Sequence, residues 1–181
     1  EREFSYSITE GESEEDATYL SINTVVGDDL DPKLYVAFQI LEYVLLDAPG
    51  APLKKALLDA GIGDDIMGGY EYGILQPYFS VIAKNAEREQ KDEFVKIVKA
   101  ELKKLADGGI DKKCLKAGIN NYEFQYREAD YGSTPKGLMY GLQCLDSWLY
   151  GGDPMMHLEY EDTFAALKKG ADSGYFEGLI R

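Results

Sequence analysis

The stretch from Leu34 to Leu46 decides what this chain can fold into. Leu34, Val36, Ala37, Phe38, Ile40, Leu41, Val44 and Leu45 fall on every side of a helix. A helix that is apolar all round has to be buried, so other elements must wrap it. The stretch is too short to be a membrane span, which needs about 20 apolar residues, and it carries Gln39 and Glu42. Both ends are marked. Asp31 is a capping residue and Pro32 suits the first helical position. At the other end, Ala48-Pro49-Gly50-Ala51-Pro52 breaks the helix. A buried helix is predicted over residues 32–47.

The flanking segments supply what wraps it. Phe4, Tyr6 and Ile8 alternate with polar residues and predict a strand, followed by an acidic turn to Asp16. Residues 17–26 are β-branched and aromatic and predict a second strand. A short helix over 53–60 is closed by Gly61. Residues 64–73 and 75–84 read as two neighbouring strands. Gly68 and Gly69 point to a bulge or a close backbone approach, and Pro77 to an edge position or a ladder that starts after it. Helices follow at 92–107, 111–128 and 135–150, capped by Asp92, Asp111 and Thr134. In the last of these, Leu138, Leu142, Leu145 and Leu149 form one face. A helical hairpin over 161–169 and 172–180 closes the chain.

Strands and helices are partly segregated along the sequence. This predicts an α+β fold, a mostly antiparallel β-sheet covered on one face by helices. The chain of 181 residues reads as a single α+β domain over 1–181. Within it lie an acidic leading strand and turn (1–16), a core (17–150) and a C-terminal helical appendage (151–181).

Charge narrows the function. Nineteen Lys and Arg stand against 33 Asp and Glu, a net charge of -14. A nucleic-acid binder needs clustered positive charge, so no nucleic-acid partner is expected. No segment reads as a membrane span or a signal peptide, so no membrane partner is expected either. Residues 1–16 hold seven acids and one base. Eight lysines against five acids over 91–116 read as solvated helix faces. Cys114 and Cys144 are too few for a disulfide framework and read as free, buried thiols, which fits a reducing compartment. A start at Glu1 without Met is expected of a piece of something longer.

His157 is the one histidine. A zinc hydrolase site draws on two or three imidazoles, or on imidazole with thiolates, and this chain cannot supply two imidazoles. His157 with Glu159 and Glu161 reads as a surface loop after Pro154. Asp28-Asp29-Leu30-Asp31 resembles the start of a calcium loop, but Pro32 and Lys33 break the pattern, and Asp31 is better explained as a helix cap. No phosphate-binding glycine loop, CxxC, GxSxG or HExxH motif, nor the inverse of the last, is present. What remains is an acidic stretch. Asp59, Asp64, Asp65 and Glu71 surround Gly68 and Gly69 with no base between Lys55 and Lys84. Tyr70 and Tyr72 lie in the same strand. Solvated loop charge and sheet packing explain these residues. The functional reading is a surface that attracts extended, cationic peptides.

An ordered set of segments carries a resemblance. It runs from Ala51-Pro52-Leu53-Lys54-Lys55-Ala56-Leu57-Leu58-Asp59-Ala60-Gly61-Ile62-Gly63 through Leu75-Gln76-Pro77-Tyr78-Phe79 to Asn121-Tyr122-Glu123-Phe124. Arg127-Glu128, Pro135-Lys136-Gly137-Leu138 and Trp148 to Pro154 continue it. In these the chain resembles presequence-protease-type zinc metallopeptidases of the insulinase/pitrilysin superfamily, and specifically the second domain of their N-terminal half. The likeness covers Tyr19 to Pro154.

The resemblance implies a LuxS/MPP-like α+β domain that recurs in the parent enzyme, whose halves close around a chamber for unfolded peptides. It implies zinc in the parent's first domain, held by an HxxEH motif and a distal Glu, and an Arg and a Tyr in the fourth. None of these is present here, and the positions matching the Arg–Tyr pair fall near Leu58 and Asp64. The expected part is therefore non-catalytic, with no catalytic or metal residue and no cofactor of its own. It supports the zinc domain and forms chamber wall. Its partners are the preceding zinc domain, the C-terminal half of the same chain and unfolded, basic peptides. Asp59, Asp64, Asp65, Gly68, Gly69, Tyr70, Glu71 and Tyr72 are the candidate peptide-facing surface. The implied location is bacterial cytoplasm or an organellar matrix. Two other readings stand beside it, a stand-alone inactive peptide-binding or dimerisation scaffold of the same superfamily, and an unrelated enzyme that uses His157.

Overall fold

The computed structural model describes residues 1–11, 13 and 15–181. Glu12 and Glu14, counted in the acidic leader, lie outside the described residues. The described elements run β1 (Thr18–Val25), α1 (Pro32–Glu42), α2 (Pro52–Asp59), β2 (Asp65–Glu71) and β3 (Tyr78–Ala86). Then come α3 (Lys91–Gly108), α4 (Lys112–Glu128), α5 (Lys136–Trp148), α6 (Glu161–Ser173) and α7 (Tyr175–Ile180). The strands form one antiparallel sheet in the order β1-β3-β2. Helices pack on it, and the fold is α+β.

The apolar helix is where the sequence demands. Tyr35, Val36, Ala37, Phe38, Ile40 and Leu41 are buried in α1, and Val44, Leu45 and Leu46 continue the core through a π-helical turn over Tyr43–Asp47. Asp31 caps it as predicted, its carboxylate accepting from the Lys33 and Leu34 amides. The core extends through Leu53, Leu57 and Ile62 to Phe94 and Val98 of α3, Leu115 and Ile119 of α4, Phe164 and Leu167 of α6 and Phe176 of α7.

Several local expectations are corrected. Residues 1–9 form no strand, and Phe4 is solvent-exposed; the segment is held by a Tyr6–Tyr19 ring contact, a Tyr6 hydroxyl bond to the Ala17 carbonyl and ion pairs of Glu3 with Arg88 and Glu1 with Lys91. A lone alternating stretch gains nothing as a strand without a partner to accept its ladder. Of the two readings of Gly68 and Gly69, the bulge fails, because the β2–β3 register is continuous from Asp65↔Lys84 to Glu71↔Tyr78, and the close backbone approach holds at Gly68. The register shift lies between Thr18 and Leu20 of β1, opposite Asn85, which has a positive φ of 55°. Of the two readings of Pro77 the second holds: the ladder starts after it, at Tyr78 of the central strand, and the Pro77 carbonyl accepts from the Val26 amide. Asp92 is in the first turn of α3 rather than at its cap; a Glu87–Gln90 capping box leads into that helix. Thr134 does not cap α5, since Pro135 holds that position without a side-chain bond. The final hairpin turns at Gly174, so α6 runs on to Ser173.

Most consequential is α5. Leu138, Leu142 and Leu149, three of the four leucines on its apolar face, are exposed, Leu149 at 67%. None of the extensive contacts between elements involves α5.

Candidate functional site

The acidic stretch follows the chain from the end of α2 into β2. Its charges are partly matched from α2: Lys54 pairs with Asp65 at 2.8 Å, and Lys55 with Asp59 at 2.6 Å. Asp64 accepts from the Asn85 side chain at 3.4 Å. Glu71 is in no ion pair among the described residues. Gly68 lies where β2 crosses β3 so closely that a β-carbon would sit 2.1 Å from the Ser80 carbonyl oxygen. Beside it, Glu42 at the end of α1 reaches the strand. Its carboxylate accepts from the Tyr70 amide at 3.0 Å, and a β-carbon on Gly69 would meet it at 3.0 Å. Burial raises the Glu42 pKa, and the Tyr70 amide opposes the shift.

Tyr70 and Tyr72 lead away from the edge into a second cluster that sequence reasoning did not assemble. Tyr72 meets Tyr35 edge-on at 5.0 Å, and Tyr70 meets Phe38 at 5.5 Å. Tyr35 stacks on His157 at 3.9 Å with a 20° tilt. Its hydroxyl donates to Asp146 Oδ2 at 2.8 Å. His157 is therefore not on a surface loop; it is 3% exposed. Asp29 is fully buried beside it. Among the described residues, neither Asp29 oxygen, neither His157 ring nitrogen, nor the Tyr70 hydroxyl has a hydrogen-bond partner. The Gly73 amide and the Asp29 backbone exert a pull on these groups from nearby without a bond of normal geometry.

Burial dominates the electrostatics here. It pushes the Asp29 carboxyl up to about 7, with Asp146 and Asp28 adding to the shift and the Gly73 amide opposing it. Asp146 is also raised by burial, against the pull of the Tyr35 hydroxyl and His157. His157 is lowered by burial, so its neutral form is favoured. A zinc ion does not fit these residues. One imidazole is available, and among the described residues no three His, Cys, Asp or Glu side chains converge as metal ligands. Cys114 and Cys144 are free and half-buried rather than buried.

Asp29 and Asp146 carried no motif. Asp29 stood in a run of acids that read as a failed calcium loop, and Asp146 in a helix read for its leucines. The lone histidine was the one signal that could have led to them.

The elements and their order set this chain among known proteins. Residues 3–122 match the family described as peptidase M16 inactive domain.

The chain belongs to the peptidase M16 inactive-domain family.

Among relatives, a protein called HypA from Clostridium perfringens is 47% identical over 180 residues, covering 99% of this chain and 18% of that protein. Presequence protease 1, chloroplastic/mitochondrial, of Arabidopsis thaliana is 34% identical over 151 residues, covering 82% of this chain and 14% of that protein. The chain thus spans less than a fifth of the length of these relatives. In fold it is similar to an inactive peptidase domain from Bordetella parapertussis, with a TM-score of 0.65 at 13% identity over 86% of this chain and 84% of that one. It is similar too to the peptidase M16 inactive domain from Pseudomonas fluorescens, with a TM-score of 0.59 at 12% identity over 90% of this chain and 37% of that one. The M16 inactive domain described here has no helix long and apolar enough to cross a membrane among the described residues.

Proposed function

We propose that this M16 inactive domain is a packing unit of a longer zinc-dependent peptidase that degrades unfolded peptides in a closed chamber. It supports the zinc domain, which supplies the metal, and forms part of the chamber wall. The observation that carries this is α5. The chain is 29% charged, yet from Gly137 to Gly152 the only charged side chain is Asp146, which turns inward to Tyr35. Leu138, Leu142, Trp148 and Leu149 are left on the surface. An apolar surface with its charges removed has the composition of the centre of a protein interface. The small fraction of the relatives' length that the chain covers supports a neighbouring folded unit as its cover. A bacterial cytoplasm or an organellar matrix is the location in keeping with this role.

The peptide-facing surface is the 59–72 stretch. With Asp59 and Asp65 ion-paired, attraction of basic peptides rests on Asp64 and Glu71 and on the overall charge of -14.

The packing role is tested with Leu142→Lys/Leu149→Lys in the full-length protein. Peptidase activity and protease resistance should fall, while the urea midpoint of the 181-residue chain alone stays where it was. Unchanged full-length activity overturns the role. For the wall, neutralising Asp59, Asp64, Asp65 and Glu71 together should raise KM for basic peptides at low salt and leave it unaltered at high salt. A KM that does not respond at either salt removes the acidic surface from the reading.

A further inference from the structure

The segment from Tyr131 to Leu158, containing α5, is held to the body chiefly by the buried polar cluster. Its fastenings are few and specific. Asp146 accepts from Tyr35 of α1, the His157 ring lies flat on the Tyr35 ring, and the Tyr150 hydroxyl donates to the Gly73 carbonyl at 3.4 Å. Gly152 is close against Leu30, where a β-carbon would meet the leucine side chain at 2.7 Å. Within the strap, Gln143 donates to the His157 carbonyl and Ser147 to the Asp153 carbonyl, so the strap is braced as one piece.

Among the described residues the fastening point contains two carboxyl groups, the His157 imidazole, whose neutral form burial favours, and no lysine or arginine. Asp29 comes from the loop before α1, and Asp146 from α5. The groups that face Asp29 are Asp28 of its own loop, Asp146 of α5, His157 after α5, the Tyr70 hydroxyl of β2 and the Gly73 backbone. Those that face Asp146 are the Tyr35 hydroxyl, His157 and Tyr72. Among the described residues no lysine or arginine pairs with either carboxyl. A fully buried carboxylate with no cation and no hydrogen bond is far more costly than the same group carrying a proton. Asp146, with a hydroxyl donor beside it, is the better place for the one charge the site can hold.

We propose that Asp29 is a proton-carrying clasp: with a proton on its carboxyl the strap seats on the body, and loss of that proton opens it. A charge on fully buried Asp29 would stand beside that of half-buried Asp146, and the way to hydrate it is to lift the strap. Among the described residues α5 is not packed extensively on any other element, so opening uncovers chiefly Tyr35 and Asp29 at the fastening point. The inference does not rest on the packing role proposed above, since it concerns how the strap is fastened inside this chain.

The test is hydrogen exchange of the 181-residue chain by mass spectrometry, at about pH 5.5 and about pH 8.5, corrected for intrinsic rates. In the wild type, protection over 131–158 should fall by about tenfold at the higher pH relative to α1 and β3. Asp29→Asn, which keeps the shape and cannot ionise, should hold the strap equally protected at both. Equal wild-type protection at both pH values overturns the proposal. So does loosening that is identical in Asp29→Asn. Should that variant not fold, the wild type with carbon-13-labelled aspartate carboxyls decides by itself. An aspartate carboxyl that still titrates above about pH 6 is expected, and titration of all of them below about pH 5 overturns the clasp.

Discussion

Gly68 has no room for a β-carbon. One built there would lie 2.1 Å from the Ser80 carbonyl oxygen, and the residue's φ of 152° is one that side chains disfavour. The obstacle is backbone in the central strand, which cannot step aside as a flexible side chain would. Gly68→Ala should therefore cost about 2 kcal/mol or more, read as a lowered urea midpoint with an unchanged slope. Asp31 makes a gentler case. Its carboxylate satisfies two amides at the start of α1, so Asp31→Ala should cost about 1 kcal/mol by the same measurement. Both residues were legible in the sequence, because a glycine pair in a strand and an Asp-Pro before an apolar run each have a local cause. Asp29 and His157 were not legible. Their meaning comes from meeting each other, Tyr35 and Asp146, and no local pattern records a meeting between residues so far apart in the chain.

At the scale of elements, periodicity said which segments are helices but not what covers them. α1 was readable because an all-round apolar helix has only one fate. α5 and α6 show the difficulty side by side. Each presents apolar residues at helical spacing, yet Leu167 of α6 is wholly buried and Leu142 of α5 is nearly half exposed. The spacing is the same; the partner differs, and the partner is not written in the helix. The two should respond oppositely to substitution. Leu167→Ala should cost about 2–5 kcal/mol, since it opens a cavity under α1 and α4. Leu142→Lys should change the stability of the 181-residue chain by less than about 0.5 kcal/mol. Parallel urea titrations of the two variants give the contrast directly. A large loss in Leu142→Lys would mean that α5 is packed in solution in a way the described contacts do not provide. The leading segment failed for a related reason: Phe4, Tyr6 and Ile8 have the alternation of a strand but no neighbour to pair with.

For the whole molecule, the buried carboxyls set how stability responds to pH. The Asp29 carboxyl titrates near 7 in the folded chain, against about 3.9 when unfolded. Between these values the folded state binds more protons than the unfolded state. Stability therefore falls as pH rises from about 4 to about 7. Asp146 and Glu42, both raised by burial, add to the same slope. His157 works the other way: its folded pKa lies below 6.5, so its contribution is lost as pH drops below that value. Among these partly or fully buried groups, one imidazole opposes three raised carboxyls, so their net effect favours the acid side of neutral. The net charge of -14 steepens the loss toward alkaline pH through general repulsion, but salt separates the two causes. At high ionic strength surface repulsion is screened, and fully buried Asp29 is screened much less. Urea midpoints measured from about pH 4.5 to about pH 9 in high salt should thus still fall toward the alkaline end. Asp29→Asn should flatten that fall and be more stable than the wild type at about pH 8. A wild-type midpoint that climbs steadily across neutral pH in high salt would show that these carboxyls are paired or hydrated in solution.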